Sequence, residues 1–270
     1  VNFGDDPTNV DYERVFYARR PILETAVKNF LANQSFQTDF KSFEKNNQLW
    51  LDDFAEFMAI KEHFGNQALQ KWDDKKAVAR DPKTLEKYRT MLADQIQYFK
   101  VTQYFFFKQW TELKNYANQK GIQIIGDMPI YVAADSVEVW TKPELFQLDK
   151  ERNPLFVAGV PADQFSATGQ LWGNPLYDWE EHKKQGYTWW IHRIEESFKI
   201  YDVLRIDHFK GFSDYWQVDG KADIAKYGSW QPGPGYDLFK AVKEQLGDLP
   251  IIAEDLGNID DKARKLLADC

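Results

Sequence analysis

DVLRIDHF, residues 202–209, is a short apolar run that ends at once in a carboxylate and an imidazole, Asp207 and His208. Two other stretches repeat the pattern. IQII (122–125) is followed by Gly126-Asp127, and PIIA (250–253) by Glu254. Short, almost wholly apolar runs of this kind read as strands buried on both faces, the habit of a parallel sheet. Helical patterns over about 187–200 and 236–246 lead into the second and third runs. Strand, acid at the strand's C-terminal end, loop and helix in that order is how an α/β barrel presents chemistry. A closed barrel needs eight strands, and three are legible, so the expected fold class is α/β with a partial (β/α)8 TIM barrel.

Upstream of residue 121 the chain reads almost wholly as helix. SFEKNNQLWLDDFAEFMAIKEHFG (42–65) begins at a potential N-cap, Ser42, and stops at Gly65. A longer helix is marked by Leu85, Tyr88, Leu92, Ile96, Phe99, Phe106, Trp110, Leu113 and Ala117, ending before Gly121. The expected organisation is therefore a mainly helical insertion subdomain over 1–120 and part of a barrel, strands 3 to 5, over 121–270. Between the first two strands, residues 128–186 are rich in Pro, Gly, Trp and Asp. A loop of that length inside a folded domain is expected to bind something.

Composition narrows the function classes. The chain has 270 residues, 43% of them hydrophobic, which suffices for a core. No run of about 18 apolar residues occurs, and the opening VNFGDDPTNV has none of the regions of a secretory signal. No membrane partner is expected. The only cysteine is Cys270, so no internal disulfide and no cysteine zinc site is expected, and the cytoplasm is the expected setting. A net charge of -8 disfavours nucleic acid and suits a neutral substrate. Aromatics reach 16%, a content that serves either sugar stacking or a core rich in rings.

The candidate chemistry lies at the three strand ends. Beside Arg205, the Asp207 carboxylate is expected to keep a low pKa and stay ionised, as a nucleophile must; the same spacing also suits a plain ion pair. Glu254 and Asp255 are adjacent acids, and mutual repulsion is expected to raise one of them toward the range of a general acid, although Asp255 equally suits a helix cap. Asp127, Asp207 and Glu254 at one rim converge on a pocket. Two carboxyls about 5–5.5 Å apart across a glycosidic bond define retaining glycoside chemistry. His63, His182, His192 and His208 show no metal-ligand spacing, and no phosphate loop, dinucleotide fingerprint or nucleophile elbow is present, so neither a metal nor a cofactor is expected.

GIQIIGDMPIYVAADSVEVW (121–140), GVPADQFSATGQLWGNPLYDW (159–179), VLRIDHFKGF (203–212) and IIAEDLGNI (251–259) resemble, in order and spacing, the amylomaltase or 4-alpha-glucanotransferase family, relatives of the alpha-amylases. WLDDFAEFMAIKEHFG (50–65) joins them, so the likeness runs from about residue 36 to the end. The resemblance implies transfer of alpha-1,4-glucan segments by a retaining double displacement, with maltooligosaccharides and starch- or glycogen-type glucans as substrates. It implies Asp207 as nucleophile and Glu254 as acid/base. Arg205, His208 and Asp127 then match residues at the cleavage subsite, and Phe165, Trp172 and Asn174 belong to the segments that bind and cover the glucan. Gln164 stands where the family commonly has an aromatic. The family's third catalytic acid lies beyond the last matched strand and has no counterpart here, so the chain is expected to be a central fragment with little activity alone. A non-catalytic glucan-binding fragment and an alpha-amylase-like hydrolase remain as alternatives.

Overall fold

A computed structural model describes Asp6, residues 8–164, 166–255 and 259–270, with Phe36 described by its backbone alone. The helices that open the chain are α1 (Tyr12–Ala32), α2 (Gln37–Asn46), α3 (Leu51–His63), α4 (Lys75–Val78), α5 (Pro82–Met91) and α6 (Ala93–Gln119). They precede β1 (Ile125–Met128), α7 (Val137–Thr141), β2 (Phe156–Val160), β3 (Gln170–Pro175), α8 (Trp179–Lys184) and α9 (Thr188–Ile200). The chain closes with β4 (Val203–Ile206), β5 (Asp214–Asp219), β6 (Gly228–Pro232), α10 (Tyr236–Leu246), β7 (Ile251–Ala253) and α11 (Asp261–Asp269). Two units result, one from residues up to Asn66 with Pro82–Gln109, the other from Gln67–Asp81 with Trp110–Cys270.

In the first unit the helix expected from Ser42 is two helices, and Ser42 lies inside α2. Asn47 breaks the run. Its side-chain amide donates to the Phe43 carbonyl at 2.8 Å and its carbonyl accepts from Trp50 Nε1 at 3.2 Å, so local side-chain bonds replace the helical ladder there. The long helix expected from Leu85 to Ala117 is interrupted only at Leu92, where i to i−4 bonds still bridge the turn. At its C-terminal end Gly121 takes φ +74°, and Ile122 N–H reaches back to the Ala117 carbonyl at 3.0 Å, an αL stop that glycine adopts without strain.

The second unit holds both sheets. One is parallel, in the order β1-β4-β7, and contains the three strands expected from sequence. Its first strand starts later than expected, because the Ile124 amide is taken by the Asp202 carboxylate at 2.8 Å. That shift puts Asp127 inside β1, paired in register with Arg205, and not beyond its end. The strands are also buried on one face only. Leu204 and Ile206 are fully covered, whereas Ile125 is 61% and Ile252 44% exposed. The barrel is not closed in this chain, so the face that strands of a complete barrel would shield lies open.

The other sheet is antiparallel, in the order β3-β2-β5-β6, and no strand of it was expected. Residues 128–186 therefore carry ordered structure, with β2 and β3 pairing to each other and β2 to β5. Glycines disguise these strands: a Cβ on Gly159 would lie 2.5 Å from the Gln170 carbonyl oxygen, and one on Gly228 2.5 Å from that of Gln217. Part of the aromatic surplus is core. Trp72, Trp140 and Trp190 are wholly buried and Tyr177 nearly so, while Trp172 and Trp230 remain open to solvent. Among the described residues no helix is long and apolar enough to cross a membrane.

Candidate active site

Register brings the two principal acids together. Ile206 and Ala253 are partners at the ends of β4 and β7, so the residues just past them, Asp207 and Glu254, emerge side by side. Backbone bonds seat both: Glu254 N–H donates to the Ile206 carbonyl at 3.0 Å and Asp207 N–H to the Met128 carbonyl at 3.0 Å. The next residue, His208, turns into the left-handed region at φ +52°, a conformation that costs a non-glycine residue about 1 kcal/mol. In that pose its backbone N–H donates to Glu254 Oε2 at 2.6 Å. The loop bearing one acid thus holds the side chain of the other.

Arg205 does not serve Asp207 as its main partner. Its guanidinium forms a fork on Asp127, with Nε to Oδ1 at 2.9 Å and Nη2 to Oδ2 at 2.6 Å, and stands 3.9 Å from Asp207. The hydrogen-bonded partner is therefore the acid whose pKa falls: Arg205 holds Asp127 below the ordinary carboxylate value. Asp207 moves the other way, against the expectation of a lowered pKa. Partial burial, then a hydrogen bond and repulsion from Glu254, raise it above the usual aspartate value. Glu254 thus acts on Asp207 directly, through a hydrogen bond and through charge.

His208 extends the site to the second sheet. Burial drives its imidazole down to about 4, so the ring is neutral at pH 7. Trp172, on β3, meets that ring edge to face with centroids 4.8 Å apart. Asn174, on the same strand, donates to the Val132 carbonyl at 2.9 Å and so ties β3 to the segment after β1. Phe165 lies outside the described residues. Asp127, Arg205, Asp207, His208, Glu254 and Trp172 thus form one chain of contacts, and Asn174 braces it. Sequence reasoning passed over Lys210, a cation set inside the apolar turn Phe209–Phe212 and bonded to Asp214 and Asp260. A buried lysine between phenylalanines was the available signal.

As to metals, His192, Glu195 and Glu196 bring possible ligand atoms within 4.8 Å of one another on α9. His192 already meets Glu195 at 3.3 Å and Lys199 meets Glu196 at 2.5 Å, the pattern of a solvated helix face.

A family described as 4-alpha-glucanotransferase, glycoside hydrolase family 77, matches residues 3–270. The chain belongs to the 4-alpha-glucanotransferase family. Relatives agree: a 4-alpha-glucanotransferase of Streptococcus pneumoniae is 55% identical over 266 residues, covering 98% of this chain and 52% of that protein. One from Thermus thermophilus is 42% identical over 252 residues, 93% of this chain and 50% of that protein. Among solved structures, the amylomaltase from Streptococcus agalactiae in complex with acarbose superposes with a TM-score of 0.97 at 61% identity. That alignment covers 99% of this chain and 54% of the other. This 4-alpha-glucanotransferase-family chain therefore spans about half the length of the relatives it matches.

Proposed function

We propose that this protein is a 4-alpha-glucanotransferase, moving alpha-1,4-glucan segments to glucose or maltooligosaccharide acceptors by a retaining double displacement. The observation that carries the reading is the pair Asp207 and Glu254, emerging side by side from paired parallel strands. In the first step the Asp207 carboxylate attacks the anomeric carbon while the Glu254 carboxyl gives its proton to the departing glycosidic oxygen. In the second, Glu254 takes the proton from an acceptor 4-hydroxyl, which displaces Asp207 from the glucosyl carbon.

Asp127 and Arg205, locked as an ion pair on the open face, offer hydroxyl-binding groups beside the cleavage point. Neutral His208 offers a ring N–H or lone pair, and Trp172 packs over it. With Phe165 and Asn174, Trp172 covers the donor; keeping water from the covalent intermediate favours transfer over hydrolysis. Substrates are maltooligosaccharides and starch- or glycogen-type glucans, in line with an acarbose-bound relative. A single cysteine suits a reducing cytoplasm.

The test is Asp207→Asn in the longest polypeptide that the gene encodes, assayed for disproportionation of maltotriose. Transfer should fall at least about 10³-fold while maltooligosaccharide binding, read by calorimetry, is nearly unchanged. Retained transfer would overturn the nucleophile assignment, and accumulation of shortened chains alone would make the protein a hydrolase.

A further inference from the structure

Lys210 sits just past Asp207 and His208, in the turn that feeds β5. Its side chain is only 7% exposed, and its ammonium has a partner on three sides. Asp214, at the head of β5, accepts one hydrogen bond; Asp260 accepts another at 2.9 Å; the Trp230 ring covers it with 4.6 Å from nitrogen to centroid. Asp260 stands on the connection from β7 to α11, the same connection that begins with Glu254, and its other oxygen caps α11 by accepting from Ala263 N–H at 2.9 Å. A buried ammonium is costly unless it is paired, so this geometry is strongly determined.

We propose that Lys210 is a positioning residue: by joining Asp214 to Asp260 it fastens the connection bearing Glu254 to the turn bearing Asp207 and His208, and sets the spacing of the two carboxyls. The proposal rests on the transferase reading above. Closer to the sheet, the bonds from His208 N–H to Glu254 and from Glu254 N–H to Ile206 hold the root of the connection. Lys210 to Asp260 is the outer tie. Without the ammonium, Asp214 and Asp260 would be two carboxylates facing one another, and repulsion would push the connection away from β5.

The experiment compares Lys210→Met, Lys210→Arg and Asp260→Asn in the longest polypeptide the gene encodes, with maltotriose as substrate. Asp260→Asn is the decisive variant. Its side chain is 40% exposed and asparagine keeps the cap on α11, so the fold survives while the charged tie is lost. Lys210→Met and Asp260→Asn should each lower kcat at least about tenfold, with KM changed less than about threefold. The acid limb of the pH profile of kcat/KM, set by ionisation of the nucleophile Asp207, should move to lower pH, because a displaced Glu254 no longer raises Asp207. Lys210→Arg should restore most of the loss. Should Lys210→Met fail to fold, Asp260→Asn alone decides. Wild-type kcat and an unmoved pH profile in Asp260→Asn, beside an inactive Asp207→Asn, would overturn the tie alone, whereas an active Asp207→Asn would overturn the site reading and the tie's catalytic purpose with it.

Discussion

Arg205 could have paired along its own strand with Asp207 or across the sheet with Asp127, and the spacing of residues 205 and 207 fits the first choice. The structure makes the second, since register sets Asp127 opposite Arg205 and the fork geometry rewards a partner square to the guanidinium. Both side chains are well exposed, so the pair adds little to stability; its effect is on orientation. It leaves Asp207, pressed by burial and by Glu254, reluctant to ionise. A carboxyl whose folded pKa is raised stabilises the fold at low pH and loses that contribution as pH rises through the raised value. Asp207→Asn is therefore expected to raise the melting temperature by about 1–3 °C at pH 7 and by nothing near pH 3, by calorimetry at the two pH values. That Asp207 and Glu254 would leave neighbouring strands together was legible in the sequence, because acids at strand ends are a local pattern. Which acid Arg205 serves was not, because register is a relation between distant strands.

At the level of elements, apolar runs ending in acids gave away β1, β4 and β7, and Gly121 marked the end of α6. The antiparallel sheet escaped notice for a physical reason: its strands approach neighbouring backbone so closely that they carry glycine where strand propensity asks for a side chain. Lys210 was hidden in the same way, since its two acids come from separate elements. Gly126, in the parallel sheet, is required for a different neighbour, a side chain. A Cβ there would stand 2.0 Å from the Tyr201 ring, which closes the helix side of β1. Gly126→Ala should cost about 1–3 kcal/mol in urea unfolding, and adding Tyr201→Ala should recover part of it through the space vacated.

For the molecule as a whole, acid is the condition it is least fitted to meet. His182 and His208 are both held at about 4, in each case chiefly by burial. The unfolded chain takes up their protons near 6.5, so unfolding binds protons and stability falls as pH drops from about 6.5 to 4. The loss is about 3 kcal/mol at most for each imidazole. Urea titrations at pH 7, 5.5 and 4.5 should show the decline, and His182→Phe, which stays within its nest of Tyr177, Trp179 and Trp189, should flatten it by roughly half. The parallel sheet has a different kind of consequence. Its outer strands, β1 and β7, each pair on one side only among the described residues. Such margins are receptive to strands delivered by a separate molecule. An extended peptide offered in solution should therefore add at β1 or β7, and a fluorophore on that peptide would report the event as a rise in anisotropy.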